Sequence, residues 1–167
     1  VNYLNETKKS ASIVGESIIT AISIGFVLVL LGTIFVTTPN LFGGIIDLFG
    51  DFELVNVPDS DLTLPGPASP GAFSVVYVAA AQFSFALGVF QIVILVLRFV
   101  FASPWRKRAE TVGNLVFWLG AGFLIQTFLL DSTIDFTNWF TFWSTIIMLI
   151  GVSLIARAST MAVARIT

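Results

Sequence analysis

Four long apolar runs, residues 13–36, 73–101, 112–130 and 139–156, alternate with short polar stretches along the chain. Each reaches or nearly reaches the roughly 17–25 residues that carry a helix across the hydrocarbon of a bilayer. The runs are continuous, whereas the strands of a membrane barrel would alternate over about ten residues. The pattern predicts an all-α, polytopic membrane protein: one domain over residues 1–167, built as a bundle of four transmembrane helices. Composition agrees, with 56% hydrophobic and 11% charged residues against about 25% charged in a soluble domain. The mean hydropathy is +0.96.

The first run follows Lys8 and Lys9. Its apolar core is too long for a secretion signal, and no small-x-small cleavage site follows Thr37-Thr38-Pro39, so it reads as a retained helix. Residues 1–12 read as a polar lead-in.

The longest polar interval, residues 38–71, has a pattern of its own. Thr38-Pro39 looks like a helix start, a capping hydroxyl followed by proline at the first helical position. Leu41, Phe42, Ile45, Ile46 and Phe49 then recur at spacings of three and four up to Gly50. That stretch is too short to span, and it predicts an amphipathic helix lying in the membrane interface. Residues 52–57 and 62–64 flank Pro58-Asp59-Ser60-Asp61 and predict a small β-hairpin. The Pro/Gly-rich residues 65–71 read as a stiff turn back to the membrane.

Small and polar residues mark the faces on which the helices meet. In the second run Tyr77, Ala80, Ser84, Gly88, Gln91 and Arg98 fall on one side of a helical wheel. Val78, Phe85, Val89, Ile92, Val93 and Val96 fall on the other, with Gln82 the exception. Gly113, Gly120 and Thr127 repeat at heptad spacing in the third run, and Ser144, Gly151 and Ala158 in the fourth. The expected packing face is therefore Ala80, Ser84, Gly88, Gln91, Gly113, Gly120, Ser144 and Gly151, because small residues let membrane helices approach closely. The first run has a mildly polar side (Glu16, Thr20, Ser23) opposite Gly25 and Gly32. No repeat relates the two halves of the chain, which weakens an inverted-repeat transporter reading.

Charge orients the bundle. All eight Lys/Arg residues fall at one end of the four runs: Lys8, Lys9, Arg98, Arg106, Lys107, Arg108, Arg157 and Arg165. Asp47, Asp51, Glu53, Asp59, Asp61, Asp131 and Asp135 fall at the other, without a positive charge among them. Lys/Arg excess marks cytoplasmic loops. The expected topology is plasma-membrane, with both termini cytoplasmic and the acidic loops outside.

Candidate chemistry is sparse. The chain has no cysteine and no histidine, which removes disulfides, thiolate sites and the usual catalytic base. Asp59-x-Asp61-x-Thr63 has the opening spacing of a calcium loop. Leu64 stands at its glycine position and Pro70 at its terminal glutamate, so no metal site is assigned. No nucleophile or oxyanion donor accompanies the acids, so no catalytic residue is assigned either. Gln91, Asn114 and Gln126 do not form one row and read as cross-helix hydrogen-bonding groups. Glu16 and Arg98, each about a turn inside its helix, are expected to form a structural ion pair. Trp105, Arg106, Lys107 and Arg108 suit anionic lipid headgroups.

The expectation is a non-enzymatic membrane protein without cofactor or nucleic-acid partner. Its expected partners are the bilayer and either itself or other membrane subunits, with a structural or accessory role. The competing expectation is a small homo-oligomeric channel or carrier, since four helices alone enclose little room.

Overall fold

The computed structural model describes residues 2–130 and 134–164, with side chains from Val14 onward. Asp131 and Arg165 lie outside the described residues, and the side chains of Lys8 and Lys9 do as well. The chain is mostly helical. Four helices are long and apolar enough to cross a membrane: α1 (Asn2–Thr37), α3 (Ser74–Val100), α4 (Trp105–Leu124) with its continuation, and α5 (Phe136–Val163). Between α1 and α3 stand α2 (Leu41–Gly50), β1 (Phe52–Asn56), β2 (Thr63–Pro67) and a 3-10 turn at Pro70–Phe73.

Several boundaries differ from the sequence expectation, each for a local reason. Helix α1 begins at Asn2, so the polar lead-in is helical. No proline or glycine interrupts residues 2–14, and each added residue of a growing helix gains one backbone bond. Thr38-Pro39 does not start α2. Asn40 does so, from the left-handed region at φ 56°, with no side-chain cap. Asparagine tolerates that conformation, and it turns the chain out of α1 within three residues. Strand β2 runs through Pro65 and Pro67, where a turn was expected. The third run starts earlier than expected, at Trp105 directly after Pro104, and ends in a π-helical turn, Ile125–Leu129.

The two prolines fit β2 because of the ladder's register. The strands pair antiparallel with Phe52 opposite Pro67, Leu54 opposite Pro65 and Asn56 opposite Thr63. Val57 N–H donates to Leu62 O at 2.8 Å, and Ala68 N–H to Asp51 O at 2.9 Å. Hydrogen-bonded pairs alternate along an antiparallel ladder, so the bonded pairs are Val55/Leu64 and Glu53/Gly66. Pro65 and Pro67 fall at the unbonded positions, where the missing N–H would have pointed away from β1.

The long helices run antiparallel, each packing on the next: α1 on α3, α3 on α4, α4 on α5. The centre is α3 with α4. Gly88 stands against Leu119, and Gly122 against the ring of Phe85. Helix α4 meets α5 where a Cβ on Gly113 would lie 3.1 Å from Ser153 O, and where Gly120 faces Leu149. The largest core lies at the acidic end, where Phe73, Tyr77, Ala81, Ile125, Leu129, Trp139 and Phe142 join α3, the π turn and α5. Tyr77 satisfies its buried hydroxyl by donating to Pro70 O at 2.9 Å.

Helix α1 is held at separated points. Phe26 stacks on Phe90 with ring centroids 3.9 Å apart, Ile19 is buried beside Phe90 and Ile94, and Ile34 packs with Leu41 and Ala79. The expected compact bundle is therefore uneven, with α3 and α4 as the packed middle and α1 and α5 as flanks.

Candidate functional site

The described basic residues gather at the end where α3 turns into α4, with Glu16 and Glu110 among them. Helix α3 stops because Ala102 takes a left-handed φ of 49°, and Ser103 N–H then donates back to Arg98 O at 2.9 Å. Pro104 precedes the first turn of α4 with φ −56° and ψ 144°. The residue pattern Arg98…Pro104…Arg108 thereby becomes a tight hairpin. Arg108 places its guanidinium carbon 4.4 Å from the centroid of Phe99 and 5.0 Å from that of Trp105. Such cation–π stacking closes the turn on itself.

Two ion clusters flank this turn. In the first, Arg98 Nη2 stands 3.9 Å from Glu16 Oε2, an ion-pair separation rather than a hydrogen bond. Arg98 also donates to the carbonyl of Lys107. This one guanidinium, in the last turn of α3 where the helix dipole favours a cation, ties α1, α3 and α4 together. Glu16 Oε1, Arg98 Nε and Ser103 Oγ are buried without a hydrogen-bond partner among the described residues. Beside them runs a groove of about 650 Å³, lined by Glu16, Ser17, Thr20, Ala21, Ile24, Pro104 and Lys107. It is polar toward the turn and apolar toward the middle of α1.

The second cluster centres on Glu110. Its carboxylate lies 3.4 Å from Arg106 Nε, 3.4 Å from Lys107 Nζ and 3.1 Å from Arg157 Nη2. The first two are neighbours at four and three residues on one helix; the third links α4 to α5. Asn114 and Ser153 line the same notch. Glu110 is not among the residues that the sequence pattern singled out. A signal was present, since it is the lone acid in α4 and stands one turn after Arg106-Lys107. Its partner on α5 was not readable, because that contact depends on how deeply Gly113 lets the helices approach.

Of the residues expected at helix contacts, Ala80 is partly buried, Ser84 and Gly88 are buried, and Gln91 is half-buried. Gly113 and Gly120 lie between α4 and α5. Ser144 and Gly151 are placed elsewhere, on the outer side of α5. Ser144 is exposed, and a Cβ at Gly151 would meet nothing within 4 Å among the described residues. Gly25 and Gly32 on α1 are equally open. In the basic hairpin Arg106 is 78% exposed at its side chain, Trp105 and Lys107 are also exposed, and Arg108 is partly covered by its aromatic neighbours.

No protein-family model, curated protein or solved structure matches this chain.

Proposed function

We propose that this chain is a non-enzymatic integral membrane protein that acts as a structural or accessory subunit, packing with itself or with a larger membrane complex. Its four long helices cross the plasma membrane with the Arg98–Arg108 turn and both termini on the cytoplasmic side and the α2–hairpin segment outside. The Lys/Arg distribution supports that orientation. Trp105, Arg106 and Lys107, exposed at the turn, meet anionic headgroups.

The observation that carries the subunit reading is the outer side of α5. Its most apolar stretch has no buried residue, yet it bears an exposed Ser144 and, at heptad spacing, Gly151, where a Cβ would meet nothing within 4 Å among the described residues. Lipid gains little from such a row, whereas another helix gains close backbone contact. Gln82 strengthens the reading: it is exposed two turns inside α3, where an amide facing hydrocarbon lacks a partner.

A second reading rests on the Glu16 groove. It opens sideways between α1 and the turn, and a neighbouring copy would close it into a polar passage, giving a homo-oligomeric channel or carrier.

The test uses two differently tagged copies expressed together and extracted with their lipid in polymer nanodiscs. Recovery of the second tag, or of a fixed set of other membrane proteins, is the expected result. A lone copy without companions contradicts the subunit reading. A solute flux in liposomes that Glu16→Gln abolishes would favour the second reading.

A further inference from the structure

The two edges of the outer hairpin are not equivalent. On β2 the unbonded positions are Thr63, Pro65 and Pro67, so its free edge lacks two of the three N–H groups that a docking strand needs. On β1 the corresponding positions are Phe52, Leu54 and Asn56. Their N–H and C=O groups make no ladder bond to β2 and face away from it. Leu54 is 75% exposed and Phe52 40%. Exposed strand edges are templates for pairing, and proline is a common device for blocking one. Here one edge is blocked and the other is open and apolar.

We infer that the open edge of β1 pairs antiparallel with β1 of a second copy, joining two hairpins into a four-stranded sheet. The inference rests on the subunit reading above and names its partner and surface. The strand is self-complementary about Leu54. With Leu54 opposite its own counterpart, Phe52 falls opposite Asn56, Glu53 opposite Val55, and Asp51 opposite Val57. No carboxylate meets another across the junction, although this segment is the most acidic of the chain. The outward groups of Phe52, Leu54 and Asn56 come into bonded register together. Orientation agrees as well. Gly66 and Phe52 both meet Trp139 in the first turn of α5, so the hairpin stands at the start of that helix. Two copies in one bilayer require a twofold axis along the helices, and the proposed pairing sets that axis through Leu54.

The test needs no cysteine removal, because the chain has none. Bonded antiparallel pairs place Cα atoms about 5.5 Å apart, within disulfide range. Leu54→Cys in native membranes, treated with a mild oxidant, should run at twice the chain mass on a non-reducing gel, whereas Ser60→Cys at the hairpin tip should not. Leu54→Pro removes the N–H at the axis without touching a bond inside the hairpin. Leu54→Glu leaves every backbone group in place and sets two carboxylates face to face. Each should lower co-isolation of two tagged copies at least tenfold. If wild type co-isolates, Leu54→Cys stays monomeric and neither variant lowers recovery, the edge is wrong and the subunit reading stands. If wild type brings down neither a second copy nor other subunits, both fall. A Leu54→Cys adduct with a different protein overturns the second copy as occupant.

Discussion

Glu16 and Arg98 each leave a buried atom without a partner among the described residues, Oε1 on one and Nε on the other, while their near atoms stand 3.9 Å apart. Losing one member strands the other in a partly buried site, which costs more than the pair itself contributes. Glu16→Gln and Arg98→Gln should each lower stability by about 1–3 kcal/mol. The double variant should recover part of the loss, as read by thermal unfolding in detergent across the full cycle. Additive losses would mean that the two groups do not interact. Arg98→Gln should be the more damaging single change, since it also removes the donor to Lys107 O. The Glu110 cluster orders its partners differently. Arg106 is largely exposed, and exposed pairs contribute about 0–1 kcal/mol. Arg157 joins two helices at 3.1 Å. Arg157→Gln should therefore lower the melting temperature by more than Arg106→Gln, and equal shifts would show that Glu110 does not tie α4 to α5.

At the scale of elements, the contacts between helices are set by where glycine allows approach. A Cβ at Gly113 would press on a backbone oxygen of Ser153, which cannot swing aside as a side chain can. Gly113→Ala should destabilise by about 1–3 kcal/mol through overpacking. Gly151→Ala meets open space among the described residues, so in a chain that detergent has separated from its partners it should be neutral or gain up to about 1 kcal/mol from helix propensity. The contrast is read as two melting curves in the same detergent. Loss at both positions would place Gly151 in a contact that α5 makes outside this chain. These differences also explain what was legible beforehand. Periodicity finds apolar helices wherever they pack, so the four long helices, α2 and the hairpin could all be read from the chain. It does not distinguish Gly113, which α5 approaches, from Gly151, which no other helix approaches among the described residues. The π turn at Ile125–Leu129 has no residue signature, and the start of α2 follows Asn40 rather than the better-looking Thr38-Pro39.

The whole molecule is a packed pair, α3 and α4, flanked by α1 and α5, with the described Lys/Arg residues at one end and all the described acids but Glu16 and Glu110 at the other. The ends were legible because charge sorting needs only the order of segments. The Glu110–Arg157 tie was not, because it depends on helix depth and rotation. Everything proposed for this chain rests on its helices crossing a bilayer with the Arg98–Arg108 turn inside. Two exposed positions report on that directly, Ser60 in the hairpin loop and Arg106 in the basic turn. Ser103 is unsuitable, since it is 3% exposed and would resist labelling on either side. With Ser60→Cys and Arg106→Cys introduced singly, intact cells are treated with a membrane-impermeant thiol reagent, before and after permeabilisation. Ser60→Cys is expected to label in intact cells, and Arg106→Cys only once the membrane is opened. Labelling of Arg106→Cys in intact cells, or of both positions equally, would contradict that orientation.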